Sequence, residues 1–130
     1  MTRERSGPFE FGELPVDLIN RILDLELDPG VVVMPINAQK HALKRHPEEF
    51  PVYFPHVAAV VQSPLYVRDD FKNDGKIELV GQPLGAPNAL LVAIEITLDA
   101  AGRYNVTSFY PISEQKIANR REKGTLKLMF

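Results

Sequence analysis

Three imidazoles fall within sixteen positions, His41, His46 and His56, and two of them share the stretch KHALKRHPEEF over 40–50. Metal ligation is a poor use for the pair. His41 and His46 are five apart, which on a helix sets them about 140° apart instead of on one face. No Cys assists them and the HExxH spacing is absent, so no metal site is expected. Proton transfer suits them better. His46 closes a helix expected over 38–46, where the helix dipole favours imidazolium. His41 lies one turn from Arg45 and next to the small residue Ala38, with Lys40 and Lys44 close by. Titratable imidazoles within a cationic surround match what RNA transesterification requires: one proton removed from a 2′-hydroxyl, one given to the leaving 5′-oxygen, and positive charge for the phosphorane. The same residues also fit a surface helix whose imidazoles are solvated or capping. His56 follows Pro55 at a helix start, where it is expected to pack or cap.

A second group lies near the other end of the chain. Thr107, Ser108 and Tyr110 sit on an expected strand immediately before a basic helix carrying Lys116 and Arg120. Hydroxyls on a rigid strand can hold a phosphate oxygen, and they can equally be ordinary strand formers. Charge is distributed unevenly around them. Residues 1–29 hold three Arg against seven acids, net −4, residues 30–102 are net −2, and residues 103–130 hold six bases against two acids, net +4. A basic end is compatible with a polyanion and also with a solvated helix face. No Walker, dinucleotide or GxSxG pattern occurs, which leaves the common nucleotide-binding and serine-hydrolase classes without support.

The elements that must position these residues can be read locally. Leu18, Ile19, Ile22 and Leu23 recur at helical spacing after Pro15, predicting a helix over 15–25. Val31–Met34 is a short β-branched strand stopped by Pro35. Asn37 is the expected N-cap of the helix 38–46, which Pro47 ends. A further helix is expected over 55–62, a brief extended piece over 65–67, and a loop or hairpin over 68–76. Ile77–Val80 and residues 89–98 read as strands. In the second, Leu90, Val92, Ile94, Ile96 and Leu98 share one face, while Ala93, Glu95 and Thr97 share the other. Asp99–Gly102 turns the chain into a strand over 103–110, which Pro111 is expected to break. Ser113 caps a final helix over 114–122, with Gly124 beyond its end. The order predicts an α+β domain: N-terminal helices packed on one face of a small antiparallel meander, then a short C-terminal helix.

One hundred and thirty residues, 45% hydrophobic and 25% charged, suit one compact domain with its own core. Zero Cys excludes a disulfide framework. The apolar runs VVVMPI and ALLVAI fall short of a bilayer span and the N-terminus lacks a signal-peptide pattern. The expected location is the cytoplasm, with no membrane partner.

Three stretches together, KHALKRHPEEF (40–50), VQSPLYV (61–67) and VTSFYPISEQKIANRREKG (106–124), resemble the phage-associated members of the barnase/EndoU/colicin/RelE-like ribonuclease superfamily. The resemblance runs over roughly residues 30–126. It implies a barnase-like α+β nuclease domain over 30–130, with residues 1–29 as an N-terminal helical extension. It also implies a metal- and cofactor-free endonuclease that cleaves single-stranded or loop RNA to a 2′,3′-cyclic phosphate. Carried onto this chain, the HP-ending helix supplies His41 and His46 as acid and base. The VTSFY strand supplies Thr107 and Ser108 as phosphate contacts, with Tyr110 beside them. Lys44, Arg45, Lys116 and Arg120 become substrate-binding cations. The partners implied are RNA and an inhibitor or antitoxin protein. A non-catalytic RNA- or protein-binding module on the same fold is the alternative, motivated by the low positive charge and the acidic N-terminal segment.

Overall fold

The computed structural model of the chain describes residues 8–70 and 75–130. In chain order the elements are β1 (Phe9–Glu13), α1 (Val16–Leu23), β2 (Val31–Met34), α2 (Ile36–Arg45), α3 (Glu49–Tyr53), a 3-10 turn (Phe54–His56), α4 (Val57–Gln62), β3 (Tyr66–Asp70), β4 (Lys76–Gly81), β5 (Ala89–Glu95), β6 (Tyr104–Ile112), α5 (Glu114–Glu122) and β7 (Lys127–Leu128). Among the described residues no helix is long and apolar enough to cross a membrane.

The strands form one seven-stranded sheet in the order β1-β2-β6-β5-β4-β3-β7. Four of them, β3 to β6, make the expected antiparallel meander, while β2 runs parallel to β6 through Val32↔Tyr104 and Val33↔Asn105. The first 29 residues contribute to this sheet directly: β1 pairs with β2, and Phe11 and Ile19 are fully buried. Residues 1–7 of the expected extension, and 71–74 within the expected 68–76 hairpin, lie outside the described residues.

Both faces of the sheet are covered. On the first, Ile77, Leu79, Leu90, Val92, Ile94 and Val106 meet Ile19 of α1 and Val57, Val60 and Val61 of α4. On the second, Val80, Leu91, Ala93 and Ile112 meet Leu126 and Ile117 of α5. Each fully buried aliphatic side chain stabilises the fold by about 1.5–3 kcal/mol. The expectation of helices on a single face is therefore corrected. Val80 of β4 and Leu91 and Ala93 of β5, on this second face, are apolar too, and α5 must cross to cover them. This double burial also explains why ALLVAI reads as a nearly continuous apolar run.

Several boundaries differ from the sequence reading, and β3 runs over Tyr66–Asp70 into the stretch expected as a loop or hairpin. Helix α2 starts at Ile36, with Pro35 extended at ψ 154° as its N-cap residue in place of Asn37. Strand β5 ends at Glu95, short of residue 98. Pro111 does not break β6, which runs on to Ile112. Beyond Asn105 this strand has, among the described residues, a strand partner on β5's side alone, and an edge tolerates a residue without an N–H. Ser113 does cap α5, accepting the Lys116 N–H at 3.2 Å. The chain leaves α5 through Gly124 at φ +78°, a conformation that favours glycine.

The β5–β6 turn is held by one carboxylate. Asp99 Oδ1 accepts the Ala101 and Arg103 N–H groups at 2.9 and 3.0 Å, and Oδ2 accepts the Asn105 amide at 3.0 Å. These bonds, led by that from Asn105, hold its pKa down from 3.8 to about 2. A depressed carboxylate stabilises the fold above pH 3.8, and that contribution disappears as pH falls through about 2. The melting-temperature gap between wild type and Asp99→Asn is expected to be widest near neutral pH and to close across this acidic window. Thermal melts at a series of pH values measure it.

Candidate functional site

Antiparallel pairing places directly opposed residues on one face, so the register alone assembles a row across the second face of the sheet. Arg68 of β3 faces Glu78 of β4, Glu78 faces Ala93 of β5, and Ala93 faces Ser108 of β6. The next row runs Tyr66, Val80, Leu91 and Tyr110. Alanine in the middle of the first row leaves a low point between Glu78 and Ser108.

Glu78 is the charged residue among the described ones that the fold buries, at 8% exposure. Burial of a carboxylate requires partners, and two guanidiniums supply them. Arg68 donates to Glu78 Oε1 at 2.7 Å, and Arg120, reaching over from α5, meets the same oxygen at 3.5 Å. Among the described residues the second carboxylate oxygen takes no hydrogen bond, and no unpartnered side-chain oxygen is sealed from solvent. Glu78 thus has one oxygen tied to cations and, among the described residues, one without a hydrogen-bond partner that is not fully sealed from solvent. Tyr110 completes the group: its phenol lies close enough to Arg120 and Glu78 to feel both charges. Burial first, then the Glu78 charge, pushes the phenol pKa above its ordinary value, while Arg120 and Arg68 pull it back. At neutral pH it is a neutral hydrogen-bonding group.

The histidines approach from elsewhere. His46 follows the last residue of α2, half exposed, with Nδ1 3.7 Å from Glu49 Oε1. It lines a tight hollow with Ala42, Phe50, Phe109 and Tyr110, along the part of β6 that has no second strand partner. Tyr110 therefore borders both the hollow and the sheet-face cluster. His41, Lys44 and Arg45 are exposed on α2, and Lys116 is exposed on α5. His56 stands in the 3-10 turn near Gly85. Among the described residues no three His, Asp or Glu side chains gather as a metal site.

The two strand hydroxyls separate. Register shifts between Ala93 and Ile94, which pair with Ser108 and Val106, so Thr107 is the extra residue of a β-bulge. Its hydroxyl donates to the Ala93 carbonyl at 3.3 Å, while Ser108 keeps its place in the Glu78 row. Of the expected residues, the fold thus sets Arg120 against a buried carboxylate with Tyr110 near it, places Ser108 two strands away in the same row, and leaves His46 across Tyr110 in the separate hollow beside α2. Sequence reasoning missed Glu78 and Arg68. A signal was present: a lone carboxylate inside the apolar run IELV, since Glu is almost never buried unless paired.

A buried carboxylate clamped by two guanidiniums, on the sheet face that α5 covers and with a phenol near it, thus sits within a small α+β domain. Comparison with known families gives a nuclease assignment. The sequence model of the phage-Barnase-EndoU-ColicinE5/D-RelE like nuclease 3 family matches residues 11–119, and the chain belongs to that family. The match takes in β1 and α1, so it begins well before the stretch carrying the sequence resemblance. No curated protein and no solved structure matches the chain.

Proposed function

We propose that this chain is an RNA endonuclease of barnase-like arrangement that cleaves by general acid–base transesterification at the Glu78 cluster. The observation that carries the reading is the paired carboxylate itself. Glu78 has one oxygen fixed by Arg68 and Arg120 and the other without a hydrogen-bond partner among the described residues, on the face that also bears Ser108 and Tyr110.

Each residue has a role in the balanced step. Glu78 takes the proton of a 2′-hydroxyl, whose oxygen then bonds to phosphorus. Arg68 and Arg120 hold the non-bridging oxygens, where charge grows in the transition state. Tyr110 orients the phosphate through its hydroxyl, with Ser108 as a further contact. The bond from phosphorus to the 5′-oxygen breaks, and His46 as imidazolium gives that oxygen a proton. The products are a 2′,3′-cyclic phosphate and a 5′-hydroxyl. Cationic charge comes from the guanidiniums, so the chemistry assigns no task to a metal. Thr107, held in the bulge, acts through backbone geometry, and Lys44, Arg45 and Lys116 serve as outlying phosphate contacts. His41 takes no part in the bond changes.

The test is cleavage of single-stranded RNA in EDTA by purified protein, with products resolved for cyclic phosphate ends. Cleavage is expected, together with complete resistance of a substrate carrying one 2′-deoxy residue at the scissile position. His46→Ala is expected to lose about tenfold or more. Salt-dependent RNA binding without any product would reject catalysis and leave a binding module on the same fold.

A further inference from the structure

Next to the Glu78 row, on the same face of the sheet, a groove of about 310 Å3 opens between α5 and the ends of β3 and β4. That volume reaches the lower end of the range for small-molecule sites. The hollow beside His46 has room for about one water and is far too tight for a comparable ligand. We propose that the α5 groove is a nucleobase subsite, taking the base of a nucleotide adjacent to the scissile phosphate. The inference rests on the nuclease reading above and extends it to a second, separately testable site.

The wall of the groove is flat and cationic. Arg121 lies over the Tyr66 ring, 5.2 Å from its centroid, so a guanidinium and an aromatic ring, both able to stack on a base, meet at the groove. Bases of single-stranded RNA are held on such planes. One side of the groove is apolar, through Ile117 and Ala118 of α5, and hydrogen-bonding groups stand at the rim: Gln82, whose amide both donates and accepts, and Glu114, which accepts. An apolar slot with stacking planes and a polar rim is what a heterocycle with an edge of donors and acceptors demands.

Position supports the same occupant. Tyr66 and Arg68 are two apart on β3 and share a face, which sets them roughly 6.6 Å apart along the strand. Arg120 and Arg121 are consecutive on α5, one turned to Glu78 and the other to Tyr66. A phosphate held by Arg68 and Arg120 therefore has its neighbouring nucleotide at the mouth of the groove. A peptide strand finds less to bind. At Leu65 the backbone is already spent: its N–H donates to the Val80 carbonyl and its carbonyl accepts the Met129 N–H.

The experiment uses the full chain and non-cleavable 2′-O-methyl RNA oligonucleotides, in a series with one abasic position moved along the strand, read by fluorescence anisotropy. Wild type is expected to lose about five- to a hundredfold in affinity at one position next to the scissile bond, in keeping with the contribution of one stacked base. Ala118→Trp, which fills the groove from an exposed helix position, and Tyr66→Ala are each expected to weaken the intact oligonucleotide similarly and to leave the abasic one unchanged. Melting temperatures check that both variants fold. Equal binding of intact and abasic strands, or an unaffected Ala118→Trp, would overturn the groove while leaving the nuclease reading standing. Base-dependent binding by a protein that never cleaves would keep the groove and sink the nuclease.

Discussion

Glu78→Gln is expected to abolish RNA cleavage to within about one part in 10² to 10⁴ of the wild-type rate, the contribution of a positioned general base. The substitution keeps the shape of the side chain and one oxygen able to accept from Arg68, whose nitrogen now lies 2.7 Å from Oε1. It removes the ability to take a proton. It also removes the negative charge between two guanidiniums that are themselves about a quarter exposed, so both become freer to meet a phosphate. RNA affinity is therefore expected to hold or rise while the rate collapses. That split between binding and turnover distinguishes a base from a structural ion pair, whose loss would lower the melting temperature and both quantities together. Single-turnover cleavage and anisotropy on the same protein give the two numbers. A Glu78→Gln variant that cleaves at the wild-type rate would return the base to a histidine, and with it the site to the α2 side of the sheet.

The contrast between Glu78 and the histidines shows what was legible in the sequence. Features set by neighbours in the chain came through. Ser113 before Glu114, Gly124 after the helix and the Asp99–Gly102 turn are local signals, and each is where it was expected. The helix before Pro47 and the alternation from Ala89 were equally local. What failed was long-range. β1, five residues with Gly12 in the middle, has little strand pattern of its own and exists through pairing with β2 about twenty residues later. The crossing of α5 to the second face depends on burial of Leu91 and Ala93 from both sides. The site is the extreme case. Its carboxylate meets one guanidinium ten residues earlier and another 42 residues later, so no spacing rule joins them. Imidazoles drew attention because they titrate near neutral pH, whereas a Glu between Ile77 and Leu79 reads first as one residue of a strand. The hydroxyls illustrate the same limit. Thr107 and Ser108 look equivalent in sequence, and one bulge opposite Ala93 separates their roles.

Arg120→Ala is expected to cost about 10² to 10³ in rate, as loss of one preorganised donor to the developing phosphorane charge does. The side chain meets Glu78 Oε1 at 3.5 Å, and its charge lowers the pKa of the nearby Tyr110 phenol against the opposing pull of burial and Glu78. Truncation removes a phosphate ligand and leaves Tyr110 without the cation that counteracts Glu78. The architecture should survive. The tie between α5 and the following turn uses the Arg120 carbonyl, which accepts the Thr125 and Leu126 N–H groups, and the substitution leaves that atom in place. Salt dependence supplies a readout that a packing role would not move. Loss of one phosphate contact on a single strand lowers the slope of log affinity against log salt by about 0.7. Arg120→Lys restores the charge without the planar fork. It should recover the salt slope fully and the rate only in part, because one ammonium cannot serve Glu78, Tyr110 and a phosphate oxygen at once. A lysine variant with full wild-type turnover would mean that Arg120 contributes charge alone, and Tyr110 would then lose its assigned place in orienting the phosphate.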